Sequence, residues 1–263
     1  MDAFADHFSD CADTYRRFRP RYPDSLGDRL VALVDRARPG GDGATRLPVW
    51  EAGCGSGQLT ELLASRFGRV TATDASFAQL ALAPDLPGVH YHAARAEASA
   101  LASGSAALAV AAQAAHWFDL PAWVAEVRRV VVPDGAVALI SYGAPLLSGE
   151  PGGVLAHFHE TTLSPHWPVE RRWVDEGYRT LPFPFAEIPQ PPLEVEQRWT
   201  LAELLGYVRS WSAVGRLREA PDGDGVLDRF EADLTSVWED ETEPRTVRWP
   251  LAIRAGTVSG NLA

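Results

Sequence analysis

Lysine is absent from this 263-residue chain: its 24 basic residues are all arginine, set against 35 acidic ones for a net charge of −11. So acidic a chain repels phosphate backbones, and nucleic acid is not an expected partner. The missing lysine also removes the Gly-Lys-Ser/Thr ending that a P-loop needs. Only two cysteines occur, Cys11 and Cys54. That excludes a disulfide framework and fits a reducing compartment, so a cytoplasmic location is expected. Long apolar runs are lacking too. Stretches such as Ala106–Ala112 are far too short to cross a bilayer, and the opening MDAFADHFSD is acidic with no apolar segment of the kind a secretory signal carries. The expectation is no membrane association, a small-molecule partner, and a monomer or homodimer.

With 46% hydrophobic and 22% charged residues, the chain has ample material for one large core. Its length suits one large α/β domain, or a core domain with an inserted cap. Residues 4–18 read as an amphipathic helix, with Phe4, Phe8, Ala12 and Tyr15 on one face, and a second helix runs from Pro23 to about Arg36. Arg38–Thr45 is a Gly- and Pro-rich loop. Strands at Pro48–Ala52, Arg69–Thr73, Val89–Ala93, Ala106–Gln113 and Ala136–Tyr142 then alternate with helices at Gln58–Ser65, Ser76–Ala83 and Leu120–Val131, and Pro133–Gly135 forms a turn. Such βα repetition implies a parallel sheet with right-handed crossovers. After Tyr142 the pattern breaks. Residues 143–192 are rich in Pro, Trp and His, and read as a cap over the strand ends because so many aromatics do not suit a disordered linker. A capping box at Thr200–Glu203 opens a helix to about Ser212, another helix spans Val226–Trp238, and Arg245–Val258 is rich enough in β-formers to close the sheet.

The informative stretch is Val49–Gly57, VWEAGCGSG: an apolar strand, an acidic residue, then glycines at 53, 55 and 57 leading into a helix. Glycines let the backbone pass beneath a ligand where a Cβ would collide, and the helix start offers free N–H groups. A dinucleotide-binding loop of the G-x-G-x-x-G type requires glycine where this chain has Gln58. Asp74, at the end of the next strand and 17 residues after Gly57, is placed either to accept hydrogen bonds from two ribose hydroxyls or to cap the following helix.

The run E-A-G-C-G-S-G, Asp74 and the later A-Q-A-A-H-W-F-D resemble the class I S-adenosylmethionine-dependent methyltransferases. Within them, Y-R-R-F-R-P-R-Y-P (Tyr15–Pro23) and W-T-L-A-E-L-L-G-Y-V-R-S-W-S (Trp199–Ser212) are similar to the UbiE-like, trans-aconitate methyltransferase-like branch. The resemblance covers nearly the whole chain; it is specific for the cofactor and weak for the acceptor. It implies one α/β domain over residues 1–263 with a doubly wound, seven-stranded, mostly parallel Rossmann-like sheet: an N-terminal helical lid (1–45), a cofactor-binding core (46–142), a substrate cap (143–192) and a C-terminal completion of the sheet (193–263). The cofactor would be S-adenosyl-L-methionine. Glu51 and the Gly53, Gly55 and Gly57 loop would hold its methionine part, Asp74 the ribose, and Ala75, Ala96 and Glu97 the adenine. Gln113 and Ala114 would pass beside the methionine carbons, with Tyr15 and Arg19 covering the site. Many relatives carry an acidic residue before the alanine of that adenine turn, where this chain has Arg95, which weakens the adenine assignment.

Methyl transfer is an in-line displacement that needs alignment and dryness more than proton transfer, so no catalytic diad is required. His116, just after the fourth strand, is a base, a group that orients the acceptor, or a packed, hydrogen-bonded histidine. Trp117 and Phe118 either wall the methyl group or belong to the core. In the cap, His157 and His159 lie two apart, a spacing that shares a face on a strand but not on a helix, so lining a substrate pocket with Phe158, Trp167, Trp173 and Tyr178 fits them better than a metal. Arg171 and Arg172 either bind an acidic substrate or form a solvated surface pair. Two other readings stay open: a cofactor-binding protein with a non-methylating or sensing role, and a nicotinamide-dependent oxidoreductase, which Gln58 and Glu51 disfavour.

Overall fold

Nine β-strands and nine α-helices alternate over residues 19–38 and 48–258, the part of the chain that the computed structural model describes. The helix expected at 4–18, with Tyr15, lies outside the described residues, as does most of the loop at 38–45. Helix α1 (Asp24–Ala37) follows Pro23 and buries Leu26, Leu30, Leu33, Val34 and Ala37, an apolar stripe at helical spacing. Then come β1 (Val49–Ala52), α2 (Gln58–Arg66), β2 (Val70–Asp74), the single turn α3 (Phe77–Leu80), β3 (Val89–Ala93), β4 (Ala106–Ala112), α4 (Leu120–Val130) and β5 (Val131–Tyr142). These first five strands pair in the order β3-β2-β1-β4-β5, all parallel.

Period-two alternation divides the sheet's side chains between two cores. Val49, Leu108, Val110, Ala138 and Ile140 meet α1 and α2 on one face, with Leu59 and Leu63 of α2. Trp50, Ala109, Ala111, Val137 and Leu139 meet Trp123 and Val127 of α4 on the other. Both faces of the central strands are therefore apolar, as a sheet covered by helices on each side requires. Trp50 and Trp123 are fully buried, and each contributes at least as much as the ~1.5–3 kcal/mol of a fully buried Leu or Phe.

The expected turn at Pro133–Gly135 is a loop within β5. Val131 pairs with Ala106 and Ala136 with Leu108, so intervening residues bulge out of the ladder, with Asp134 at a left-handed φ of 60°. Its backbone is held by Asp134 N–H to Val258 O and Val258 N–H to Gly135 O. That early pairing ends α4 one residue before the expected boundary.

Residues 143–192 fold into β6 (Leu146–Leu147), α5 (Glu150–His157), a π-helical turn at Phe158–Thr162, α6 (Arg171–Asp175) and β7 (Ala186–Glu187). Strand β8 (Leu193–Trp199), α7 (Leu201–Arg209), α8 (Ser212–Arg218), α9 (Gly223–Ser236) and β9 (Arg245–Thr257) complete the chain. The capping box forms as expected, Thr200 and Glu203 satisfying each other's backbone N–H groups. Strand β9 runs antiparallel to β5, and β8, β6 and β7 pair with β9. The seven long strands thus make the doubly wound, mostly parallel sheet, and the two-residue strands β6 and β7 stitch the 143–192 region to it. No described helix is long and apolar enough to cross a membrane.

Candidate active site

Where strand order reverses between β1 and β4, the connecting segments diverge and leave a crevice beyond the strands' carboxyl ends. A cavity of about 470 Å³ lies there, lined by residues from the ends of β1, β2, β4 and β5, from the turn after β3, and from Arg19 to Tyr22.

The loop after β1 is built from its glycines. Gly53, Gly55 and Gly57 all take left-handed φ values of 70°, 55° and 91°. A Cβ on Gly53 would sit 2.6 Å from the Ala114 Cβ, so loop and β4 end approach too closely for any side chain. The backbone N–H groups of Gly53 and Cys54 both donate to the Thr73 carbonyl, at 2.8 and 3.0 Å, which clamps the loop to β2. Gly53→Ala combines the collision with a left-handed backbone and is expected to destabilise the fold by roughly 2 kcal/mol or more. A thermal melt that matches the wild type would contradict that packing.

Two carboxylates frame the loop. Glu51 is 2% exposed and accepts a 2.6 Å hydrogen bond from the Thr60 hydroxyl. Burial pushes its pKa up to about 8; the Thr60 bond opposes the rise and nearby Asp74 adds to it. A carboxylate so destabilised when ionised is prepared for a cationic partner. Asp74 accepts 2.8 Å bonds from the backbone N–H groups of Gly55 and Ser76, tying the glycine loop to the end of β2. Capping of α3 falls to Ser76, whose hydroxyl accepts from Gln79 N–H. Each carboxylate oxygen offers more than one acceptor site, so Asp74 can also take ligand hydroxyls.

The remaining cofactor candidates divide. Arg19, Ala75, Ala96, Glu97, Gln113 and Ala114 line the cavity, together with Glu51, Gly53, Gly55 and Asp74. Gly57 is not among the lining residues; it turns the chain into α2, and a Cβ there would meet Pro84 at 3.0 Å. Glu97 accepts from Asp119 N–H at one oxygen and from Arg95 at the other, and like Asp74 it keeps further acceptor sites for a ligand. Gln113 holds a left-handed φ of 52° and donates to the Tyr142 carbonyl, and its buried Oε1 meets no donor among the described residues. A buried acceptor without a partner marks a position that a ligand N–H or O–H can satisfy.

Among the other candidates, Trp117 lines the cavity and Phe118 does so beside it. His116 does not. Its Nδ1 lies 2.8 Å from the Tyr178 hydroxyl, and Tyr178 is buried at a left-handed φ of 60° with its carbonyl accepting from Arg254. Burial draws the His116 pKa down to about 3, with Arg171 and Arg19 adding to the fall. His157 ends α5 exposed while His159, in the π-helical turn, is buried, so the two do not converge. No group of three or more metal-binding side chains gathers among the described residues. Arg171 bonds Asp175 and lies 4.5 Å over the Trp167 ring. Arg172 is exposed, its guanidinium against Trp173.

Sequence reasoning missed Tyr22, Gln79, Tyr142 and Glu170, all of which line the cavity. Tyr142 ends β5, and the rule that ligands sit at carboxyl ends of parallel strands points to it. Glu170 and Tyr22 reach the cavity through tertiary contact and leave no local signal.

Residues 50–139 match the family model of a methyltransferase domain. A Dictyostelium discoideum protein described as a methyltransferase is 30% identical over 239 residues, covering 90% of this chain and 88% of its own length. The methyltransferase AacuQ of Aspergillus aculeatus is 32% identical over 136 residues, 50% of this chain and 42% of that protein. A solved structure from Anaeromyxobacter dehalogenans, described as a type II methyltransferase, is similar with a TM-score of 0.81 and 39% identity, covering 93% of this chain and all of that one.

Proposed function

Because this chain belongs to the class I S-adenosylmethionine-dependent methyltransferases, we propose that it methylates a small organic molecule, a natural product or organic acid, bound between the cofactor cavity and residues 143–192. The observation that carries the reading is the cavity itself. It joins a glycine loop too tight for side chains to a buried, hard-to-ionise Glu51 and to Asp74 at the next strand end.

When bound, S-adenosylmethionine would supply an electrophilic methyl group: an acceptor lone pair bonds to the methyl carbon as the carbon–sulfur bond breaks and its electrons stay on sulfur, leaving S-adenosylhomocysteine. Glu51 would balance the positive charge of the methionine end, and Asp74 would accept from the ribose hydroxyls. Ala75, Ala96 and Glu97 would flank the adenine, and Glu97 would have an acceptor site left for it. Gln113 Oε1 is positioned for a ligand donor. Trp117, Phe118 and Tyr142 would keep water from the reacting end, and Arg19 would close it from the N-terminal side. His116 would act as a neutral group that, with Tyr178, shapes the wall. With a pKa near 3 it has little driving force as a base.

The pH profile tests that last assignment. Turnover is expected to show no inflection between pH 5 and 7 that His116→Gln removes; a limb near pH 6.5 abolished by that variant would restore the base. An acidic chain of net charge −11 supports an acceptor other than nucleic acid, and a cytoplasmic monomer or homodimer is part of the same proposal. Methyl-label transfer from S-adenosylmethionine to a panel of small acids, phenols and amines tests the function. Labelling of nucleic acid or protein with none of the panel would contradict it.

A further inference from the structure

The hydroxyl of Tyr91 is buried and meets no hydrogen-bond partner among the described residues. A buried donor left so is costly and calls for a physical reason. The sheet register shows where it sits. Glu51 on β1 pairs with Ala72 on β2, and Ala72 pairs with Tyr91 on β3, both in parallel ladders. Paired residues share a face, so Glu51 and Tyr91 stand on the same side of the sheet, two strands or about 10 Å apart. Only the small side chain of buried Ala72 separates them, and α2 covers that face with its fully buried Thr60.

Tyr91 reaches towards the start of that helix, its hydroxyl oxygen 3.4 Å from where a Cβ on Gly57 would stand. Burial pushes its pKa up to about 12; Cys54, Glu51 and Glu61 add to the rise and Thr60 opposes it, so the group stays an O–H donor at any working pH. Thr60 donates its one hydroxyl proton to Glu51 at 2.6 Å, and its oxygen keeps acceptor sites. The other groups facing Glu51 do not favour its charge. Val110 on β4 is apolar, Asp74 at the end of β2 repels it, and burial holds Cys54 as the neutral thiol. Arg19 and Arg95 line the same cavity, but the influence that holds the Glu51 pKa down is that of Thr60.

We propose that Tyr91 is a positioning residue for the cofactor site: when Glu51 ionises to meet the cationic end of the methyl donor, the Tyr91 O–H closes onto Thr60 Oγ1 and, through the Thr60 hydroxyl, steadies the carboxylate. The proposal rests on the methyltransferase reading and adds to it a residue that governs how readily the site takes its ligand. While Glu51 is neutral the chain has no charge to steady, and the Tyr91 hydroxyl stays open. Once the carboxylate forms, it polarises Thr60, whose oxygen becomes the better acceptor for Tyr91.

The test is calorimetric titration of the full-length chain with S-adenosylhomocysteine from about pH 6 to 9.5, comparing wild type with Tyr91→Phe, which keeps the ring. The ratio of the two affinities is the readout, since the ligand's own titration cancels in it. Without the Tyr91 hydroxyl, Glu51 needs a higher pH to ionise. The variant should therefore bind roughly three- to tenfold more weakly at pH 6 to 7 and equally at pH 9.5. Thr60→Val should show at least as large a deficit at low pH, and Tyr91→Phe should add nothing to Thr60→Val or to Glu51→Gln. A deficit equal at every pH, no deficit at all, or one that persists in the Glu51→Gln background would each overturn the proposal. Urea melts read the same link without ligand. Tyr91→Phe should be no less stable than wild type at pH 6 and should go on losing stability above pH 8, where wild type is level. A stability difference independent of pH would contradict it. If wild type fails to bind S-adenosylhomocysteine, the methyltransferase reading falls, and the melts alone decide the link between Tyr91 and Glu51.

Discussion

Asp74→Ala is expected to weaken S-adenosylhomocysteine binding by a hundredfold or more. The carboxylate does two things at once. It accepts the backbone N–H groups of Gly55 and Ser76, each at 2.8 Å, and so holds the glycine loop against β2. In the proposed complex it also accepts the ribose hydroxyls. Hydrogen bonds to a charged group contribute roughly 1.5–3 kcal/mol each, and about 1.4 kcal/mol is a factor of ten in affinity. Losing a single ribose contact accounts for roughly tenfold to a hundredfold, and a second contact and the loosened loop add to it. Asp74→Asn keeps one acceptor oxygen but turns an amide NH₂ toward one of the two backbone donors, so it should rescue little. Binding within threefold of wild type in the alanine variant, measured by calorimetry, would remove Asp74 from the ligand's partners.

The second large effect concerns Glu51, where stability and binding should move in opposite directions. Its folded-state pKa is raised from 4.5 to about 8, so the folded protein holds this proton more tightly than the unfolded chain does. The sign follows from linkage: stability falls as pH rises from about 4.5 to 8 and is level above that range. A glutamine has no charge to bury. Glu51→Gln should therefore raise unfolding stability near pH 8 by roughly 2 kcal/mol, somewhat under half of what a shift of this size represents in full.

Binding should behave oppositely. If Glu51 neutralises the cationic end of the ligand, that complex needs the carboxylate. Below pH 8 the wild type must then release a proton on binding, and affinity should climb up to tenfold per unit as pH rises from 6 towards 8. Glu51→Gln should bind at least tenfold more weakly at pH 8 and lose the climb. Titrations at pH 6, 7 and 8 check both, alongside urea melts at the same pH values. A variant with wild-type stability and an unchanged pH slope would show that Glu51 neither carries the burial cost nor meets the ligand.

Much of the fold is legible in the residues because local pattern and tertiary demand agree there. VWEA is a short, mostly apolar run followed at once by glycine, and β1 lies where that pattern places it. The capping box at Thr200 and the apolar stripe of α1 are likewise complete in local sequence. Disagreement arises where pairing overrides local signal. Pro133-Asp134-Gly135 has the chemistry of a turn and does loop out, but Val131 already pairs with Ala106, so the strand begins before it. Helix α8, in the W-S-A-V-G-R-L-R stretch, carries a glycine and no side-chain cap, and forms by burying Ala213, Val214 and Leu217.

The candidate site divides in the same way. The glycine loop and Asp74 are readable because one strand–turn–helix unit fixes their spacing. His157 and His159 look like a pair in sequence, but the helical backbone sends one outward and the other into the core. Tyr142 and Glu170 acquire their meaning from partners far along the chain, as Arg19 does on reaching across 123 residues to the Tyr142 hydroxyl.

The central claim, that the cavity between the glycine loop and Asp74 is built for the methyl donor, is tested most directly by calorimetric titration of the purified chain with S-adenosylhomocysteine, with NAD as the control. Micromolar binding of the first and none of the second is expected. Binding of NAD, or no binding of S-adenosylhomocysteine at any pH between 6 and 8, would contradict it.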